Sequence, residues 1–437
     1  MNRRRFVSVL AASLTTGGCG LFADNKPKLP GDRISVLGLE HQIEADAGIA
    51  NLPVTLPPPT VNPDWSEPGG NPSHAMGAPA LPSQITKAWE RSVGDGSARY
   101  TKVMSQPVIS GGRIYAMDGG VQVSALDAGT GKSFWQVDLR PDDQQGNAFG
   151  GGPCFWNNRL YVSTGYAEVL ALDPNDGKII WRKNVSSPVH APPTVDDKRI
   201  FVVTVDNELV ALSTDDGNRL WSHNGIPETA SLLGGTSPAV EGDNVVVAYS
   251  SGELFALRVE NGQPIWSESL ASGHAADAVS NLADIHGRPV IDHGRVFAVS
   301  NSGRMIAIEL RTGSHVWEQD MASSHSPWCV GDFVFLLAND NDLVCLTRNE
   351  GKIRWAQPLP HFENEKKKED PIRWAGPVLG GGRLIVLSST GKAMFCSPQD
   401  GSTVWETDLS DKGYLGPVIA DNTLYLLTDD ANLSAYR

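Results

Sequence analysis

The sequence is poor in cysteine, in basic residues and in long hydrophobic runs. It has 5 cysteines among 437 residues, and 36 Lys and Arg against 50 Asp and Glu, for a formal net charge of −14 at pH 7. This acidic balance argues against a phosphate-binding surface, and so against nucleic acid as a partner. No apolar run reaches the roughly 18 residues of a membrane-spanning helix.

The cysteines show no pattern of a metal, haem or redox site. The sequence contains no CxxC, no CxxCH and no adjacent cysteine pair. Cys154, Cys329, Cys345 and Cys396 are scattered, with neighbours typical of strands. Because a free cysteine behaves as a small apolar residue, we expect buried free thiols rather than disulfides.

The first residues have the layout of a bacterial secretory signal. Residues 3–5 are arginines, a short apolar stretch covers residues 6–14, and small residues precede Cys19. This arrangement resembles a lipoprotein signal, in which residues 1–18 are removed and Cys19 is acylated; its arginines also resemble a twin-arginine signal. An ordinary cleaved signal with an incidental cysteine is the alternative. By resemblance to bacterial lipoproteins, Gly20 implies delivery to the outer membrane, with a lipid anchor at its periplasmic face.

A proline-rich zone follows. Residues 20–83 hold 11 of the 29 prolines and show no regular apolar period. Proline removes a backbone donor and disfavours helix at the preceding residue. Residues 19–83, beginning with the lipidated Cys19, are therefore predicted to form an extended tether. Trp65 is either an anchor on the globular body or an exposed linker side chain.

A repeat covers the rest of the chain. Seven segments carry a glycine four residues before a tryptophan, and an eighth tryptophan lacks the preceding turn; in chain order the eight are Trp89, Trp135, Trp181, Trp221, Trp266, Trp317, Trp355 and Trp405. Their mean spacing of about 45 residues is typical of propeller blades. Each repeat contains four short apolar runs separated by Gly, Asp or Asn turns, which predicts four strands and three hairpins. No segment has a long helical period.

The fixed offsets have physical reasons. The glycine is expected at a turn position with positive φ. A small residue stands ten positions before the tryptophan and leaves room for the indole between neighbouring sheets; it is Ala125, Ala171, Ala211, Ala256, Ala307 and Cys345. Phe395 occupies this position in the seventh repeat, so that blade is expected to pack differently.

The two ends of the repeat region complement each other. The chain finishes with a third-strand sequence in which Ala435 holds the small-residue position, whereas Trp89 opens the region as a fourth strand. Pairing of these strands would complete one blade and remove the free sheet edge. The prediction is an all-β, closed, eight-bladed β-propeller over residues 84–437.

The repeat resembles the PQQ-type propeller repeat, and the resemblance covers residues 84–437. That superfamily includes both enzymes and binding scaffolds, so the fold alone does not decide the function. One alternative is a PQQ-dependent quinoprotein dehydrogenase. Such enzymes often carry an adjacent-cysteine disulfide and build their site from long insertions between blades, and neither feature is present. No catalytic residue, metal site or cofactor is predicted.

The whole layout of signal, tether and eight blades resembles the BamB family of outer-membrane protein assembly factors. In this family two neighbouring loops bind the periplasmic POTRA region of BamA. The matching segments here are ETASLLGGTSP (228–238) and NLADIHGRP (281–289). The resemblance assigns partner binding to Ser231, Leu232, Leu233, Asp284 and His286. Leu232 and Asp284 keep the family's residue types, whereas Leu233 replaces an arginine and His286 replaces an acid.

Two readings of these loops stay open. Exposed leucines mark interfaces, but they can also fold back onto a blade. An aspartate can equally cap a turn. The resemblance implies a non-enzymatic scaffold lipoprotein of the BAM complex that aids insertion of outer-membrane proteins. Its partners would be BamA and other BAM subunits, with nascent outer-membrane strands as a further candidate through β-augmentation. A propeller that binds peptidoglycan or another envelope component is a second alternative.

Overall fold

The computed structural model describes residues 43–144, 146–228, 232–271 and 284–437. The predicted signal peptide (1–18), Cys19 and Ser231 lie outside these ranges. The described residues form eight four-stranded antiparallel sheets and one extra hairpin, and they contain no helix. The described ranges therefore contain no helix that is long and apolar enough to span a bilayer.

The sheets follow one another along the chain as blades. The first strand, β1 (Lys87–Ser92), belongs to the last blade. Blade 1 contains β2 (Val108–Ser110), β3 (Arg113–Met117), β4 (Gln122–Asp127) and β5 (Ser133–Asp138). Blade 2 contains β6 (Gly151–Trp156), β7 (Arg159–Thr164), β8 (Glu168–Leu172) and β9 (Ile179–Asn184). Blade 3 contains β10 (Thr194–Asp196), β11 (Arg199–Val203), β12 (Glu208–Ser213) and β13 (Arg219–Asn224). Blade 4 contains β14 (Ala239–Glu241), β15 (Asn244–Ala248), β16 (Glu253–Arg258) and β17 (Pro264–Ser269).

The second half repeats this plan with one addition. Blade 5 contains β18 (Val290–Asp292), β19 (Arg295–Val299), β20 (Arg304–Glu309) and β21 (His315–Asp320). Blade 6 contains β22 (Trp328–Val330), β23 (Phe333–Leu337), β24 (Asp342–Thr347) and β25 (Ile353–Pro358). An exposed hairpin of β26 (Phe362–Asn364) and β27 (Glu369–Pro371) follows. Blade 7 contains β28 (Trp374–Gly380), β29 (Arg383–Ser388), β30 (Lys392–Cys396) and β31 (Thr403–Asp408).

The last blade is shared by the two ends of the repeat region. Blade 8 contains β32 (Val418–Ala420), β33 (Thr423–Leu427) and β34 (Asn432–Tyr436), and β1 is its outer strand. Trp89 of β1 stands opposite Ala435 of β34. The predicted eight-bladed ring, closed by this composite blade, is confirmed.

Each blade presents its tryptophan to the next blade. The small residue of the repeat lies directly across the sheet from the tryptophan, as with Ala125 and Trp135 in blade 1. Six indole nitrogens donate to a backbone carbonyl in the following blade at 2.7–3.2 Å; the donors are Trp89, Trp135, Trp221, Trp266, Trp317 and Trp355. The core fills the spaces between blades, where Tyr115 of blade 1 packs with Leu160 and Leu170 of blade 2. The indoles therefore join the blades into one ring.

Blade 7 departs from this packing, as the sequence predicted. In blade 1 an aromatic residue of the second strand, Tyr115, faces Trp135 across the small Ala125, with ring centroids 6.0 Å apart. In blade 7 Phe395 occupies the position of the small residue, and its ring centroid lies 4.5 Å from that of Trp405. The prediction of buried free thiols is also confirmed, since Cys154, Cys329, Cys345 and Cys396 are all buried and unpaired.

Residues 60–81 form a ring that we call the collar. Its ends meet where Thr60 bridges Pro79. The collar makes a hydrogen bond with every blade, from blade 8 around to blade 7, through Asn62, Trp65, Ser66, Glu67, Pro72, Ser73, Gly77 and Pro79. Residues 43–59 continue along blades 6 and 7, where Gln399 makes two hydrogen bonds to the backbone of Val54.

The predicted extended tether (19–83) is thus corrected over residues 43–83. Trp65 is completely buried and stacks on Trp328 with ring centroids 6.3 Å apart, so it is an anchor rather than a linker side chain. The physical reason is backbone pairing. Prolines prevent residues 60–81 from building a sheet of their own, but the backbone N–H and C=O groups of this segment form hydrogen bonds with residues in or next to the first strands of the blades.

Candidate functional site

The segments that lead into the first strands enclose a central cavity of about 600 Å³. Seven of the eight blades contribute to its wall, and the collar residues Trp65, Pro68, Gly69 and His74 line it as well. The first strands of neighbouring blades contact one another, so this cavity lies at the centre of the ring. A cavity of this size is within the usual range for small-molecule sites.

The two loops singled out in the sequence meet at this cavity. The Leu232 backbone N–H donates to Oδ2 of Asp284 at 2.9 Å, so the loop before blade 4 is tied to the loop before blade 5. A Cβ added to Gly234 would lie 2.5 Å from Cε1 of His286, which shows how closely the loops pack. The neighbouring positions that the resemblance implied are therefore present in the structure.

The predicted contact residues differ in exposure. Leu233 is 54% exposed, whereas Asp284 is 6% exposed. Leu232 and His286 are partly exposed, and His286 lines the cavity. Asp284 therefore positions the first loop instead of offering its carboxylate to a partner, which differs from the direct contact implied by the resemblance. The bond between the Leu232 N–H and the Asp284 carboxylate joins two loops, so it also differs from the local turn cap that the sequence left open. Ser231 lies outside the described residues.

The titratable groups of the cavity are shifted by burial. Burial raises the pKa of Asp284 and lowers that of its neighbour His286. Burial lowers the pKa of His325 to about 4, helped by His286, and that of His74 to about 3, helped by the charge of Arg288. These imidazoles are consequently neutral near pH 7.

The cavity wall also carries residues that the sequence did not single out for a site. Arg288, Gln106 and His74 line it, as do His190 and His325. No spacing signal connects them, because they come from the collar and from four different blades. Within the described ranges, no three His, Cys, Asp or Glu side chains are placed to hold a metal ion together.

Comparison with known proteins gives a family match over most of the chain. A family model described as "Outer membrane protein assembly factor BamB" matches residues 118–357 and 363–437. The BamB of Alkalilimnicola ehrlichii is 32% identical over 350 residues, which cover 80% of this chain and 87% of that protein. The BamB of Salmonella typhimurium is 28% identical over 356 residues, covering 80% and 88%. The match thus includes nearly the whole length of these relatives.

Solved structures agree on the fold. The crystal structure of BamB from Moraxella catarrhalis superimposes with a TM-score of 0.67 at 19% identity, covering 81% of this chain and 100% of that chain. A quinohemoprotein alcohol dehydrogenase from Comamonas testosteroni superimposes with a TM-score of 0.64 at 12% identity, covering 86% and 80%. At such identities the likeness concerns the propeller alone. The family model and the sequence relatives decide the assignment: the chain belongs to the outer membrane protein assembly factor BamB family.

Proposed function

We propose that this chain is a non-catalytic scaffold subunit of the outer-membrane β-barrel assembly (BAM) complex. In this proposal it binds the periplasmic POTRA region of BamA, associates with other BAM subunits and aids insertion of outer-membrane proteins. Family membership supports the general role, since the relatives are named as assembly factors. The observation that carries the finer proposal is the exposed Leu233 on a loop fixed by Asp284.

The geometry suits a preformed docking point. Leu233 is 54% exposed, and the residue before it is held by the hydrogen bond to Asp284. A loop that is already ordered loses less conformational entropy when a partner binds. An exposed leucine beside this anchored backbone provides apolar area that a partner can cover. Leu233 is thus the contact residue in this proposal, and Asp284 is a positioning residue.

Membrane attachment is part of the same proposal. Residues 1–18 would be removed as a signal peptide, and Cys19 would carry the lipid that holds the protein at the periplasmic face of the outer membrane. The span from Cys19 to residue 42 would then be the tether, because residues 43–83 pack on the propeller. The blades over residues 84–437 would form the rigid body. Mass spectrometry of the N-terminal peptide from membranes tests the lipid, and an unmodified Cys19 would contradict it.

Co-purification with BamA tests the partner. Leu233→Arg should lower the recovered BamA several-fold, because a charge replaces the apolar contact. Val404→Arg is the matched control: Val404 is 60% exposed but lies on the outer strand of blade 7, away from the two loops. The control should recover BamA as the unmodified chain does. Equal recovery with both variants would contradict the proposed loop contact.

A further inference from the structure

A guanidinium in the wall of the central cavity has no acidic partner in the described part of the chain. Arg288 lines the cavity, and its Nη2 has only a long 3.5 Å contact with Oε1 of Gln106. Its Nε is buried and has no hydrogen-bond partner among the described residues. No carboxylate in the described part of the chain forms an ion pair with it. Burial lowers the pKa of Arg288 only to about 10, so the group is charged near pH 7.

The Arg288 side chain is half-buried, and holding a charge partly out of water without a partner is unfavourable. Two imidazoles of the same wall also have unsatisfied nitrogens: Nε2 of His74 and Nδ1 of His286 are buried without a partner among the described residues. His74 is 5% exposed, and its Nδ1 is paired with the carbonyl of Pro289 at 2.7 Å. The fixed Nδ1 contact leaves Nε2 as the free atom.

The cavity is cationic although the protein is acidic. Among the described residues, four basic side chains line it, against a single lining carboxylate, Asp429; the basic residues are Lys102, Arg288, Arg373 and Lys412. Asp284, whose charge acts on the pKa of His286, does not line the cavity and accepts a hydrogen bond from the Leu232 N–H. The whole chain carries a net charge of −14, so this local excess of positive charge runs against the overall balance. Converging cations in a concave, partly desolvated site attract anions more strongly than the same groups on an open surface.

We propose that the central cavity is a binding site for a small anion bearing phosphate or carboxylate groups, with Arg288 as its principal ligand. The planar guanidinium offers parallel N–H donors that match the oxygens of such anions. Gln106 fixes one side of this group: its Nε2 donates to the carbonyl of Gly416 at 2.8 Å, which turns Oε1 toward Arg288. The neutral ring of His74 donates its Nδ1–H to the Pro289 carbonyl, so its Nε2 can only accept, for example from a protonated oxygen of the ligand, whereas the neutral ring of His286 can donate or accept.

The collar makes the site a pocket with a floor. Trp65, Pro68, Gly69 and His74 of the collar line the cavity, and Trp65 is fully buried. A ligand in the cavity therefore meets a fixed surface on which His74 is held in place by the Pro289 carbonyl. Leu233 also lines the cavity, but the principal ligand is Arg288, so anion binding by the isolated chain can be tested without the proposed contact with BamA.

Calorimetric titration of the full chain in detergent with inorganic phosphate and with citrate tests this site. Both probes supply oxyanions, and comparing them separates phosphate from carboxylate preference. Arg288→Gln should weaken binding by about tenfold or more, since a hydrogen bond to a charged group is lost. Arg288→Lys should retain part of the affinity because the charge stays. Arg199→Gln is the matched control, since Arg199 also has an unpartnered buried Nε but does not line the cavity.

A second variant leaves Arg288 in place. Gly235 lines the cavity, its φ is not in the left-handed region, and a Cβ there would meet Ala191 at an ordinary 3.4 Å. Gly235→Asp should therefore fold and repel the anion, lowering affinity several-fold. Absence of binding by the unmodified chain up to about 10 mM of either anion would overturn the proposal. An equal loss of affinity in Arg199→Gln would overturn it as well, since it would indicate surface binding only.

Discussion

Gly177 of blade 2 lies against the indole of Trp135 in blade 1, so closely that a Cβ on Gly177 would be 2.7 Å from Cε3 of the ring. The glycine also has a φ of +74°, a conformation that favours residues without a side chain. The same contact recurs in the other repeat turns, for example between Gly262 and Trp221. The glycine of the repeat therefore meets two demands, backbone conformation and close approach of the neighbouring blade.

Two glycine-to-alanine variants together separate the effect of backbone conformation from the effect of close packing. Gly177→Ala should lower the free energy of unfolding by about 1 kcal/mol for the backbone and by about 1–3 kcal/mol more for overpacking against Trp135. Gly382→Ala is the matched control, because Gly382 has a φ of +73° and open space around it. Urea unfolding of the two variants measures the difference. Equal losses would mean that the indole moves aside without cost.

The sequence predicted the ring well because its signals are local and repeated. The turn glycine, the small residue and the tryptophan each recur at a fixed offset, and together they set blade number, strand order and closure. The repeat pattern does not reveal the second-strand aromatic that faces the tryptophan, such as Tyr115 or Phe201. This residue stands in an apolar run where many residue types satisfy the strand pattern.

The collar and the cavity could not be predicted in the same way. The collar pairs its backbone with six separate blades and reaches the other two through side-chain hydrogen bonds, and such contacts leave no period in the sequence. The cavity brings Arg288 together with His74, which is more than 200 residues away in the chain. The burial of Asp284 was also hidden, since an aspartate in a loop is usually solvated. Long-range contacts of single residues are thus what the sequence failed to reveal.

Blade 7 allows a test of whether the aromatic residue that faces the tryptophan can move from the third strand to the second strand. Its second and third strands pair Ile385 with Phe395, whereas blade 1 pairs Tyr115 with Ala125. Phe395→Ala should destabilise the protein by about 3–5 kcal/mol through a cavity. Adding Ile385→Phe should recover part of this loss, because the new ring can face Trp405 across the alanine. The measurement is a double-mutant cycle of unfolding free energies, and simple additivity of the two changes would contradict the prediction.

The anchoring of the collar depends on Trp65. This side chain is fully buried and stacks on Trp328, whose indole nitrogen donates to the collar carbonyl of Gly77 at 2.9 Å. Trp65→Ala should cost about 3–5 kcal/mol and should open the collar to proteases. Limited proteolysis followed by peptide mass spectrometry locates the cleavage sites.

Trp156→Ala serves as the control for the collar experiment. Trp156 is partly exposed at the end of β6, where its indole donates to the carbonyl of Asp197 at 3.1 Å. Its removal should cost less and should leave residues 60–81 resistant to cleavage. Protection of the collar in Trp65→Ala would show that the backbone hydrogen bonds alone hold it.

The buried carboxyl of Glu67 should make the stability depend on pH. Glu67 is completely buried in the collar, and its Oε1 accepts a hydrogen bond from the Val195 N–H at 3.3 Å, while Oε2 has no partner among the described residues. Burial raises its pKa well above the usual 4.5. The folded protein therefore holds a proton that the unfolded chain releases. Stability should fall as the pH rises from 4.5 to the folded-state pKa, by about 1.4 kcal/mol for each unit between the two values.

Glu67→Gln removes this titration. The variant and the unmodified protein should have similar stability at about pH 4, and the variant should become relatively more stable toward pH 8, because a neutral amide replaces a group that has to ionise in a buried site. Chemical denaturation at several pH values measures the difference in unfolding free energy. Glu363→Gln, on the exposed hairpin of β26 and β27, controls for the loss of an acidic residue. A difference that grows toward low pH instead would mean that Glu67 is ionised and stabilised by charge in the folded state.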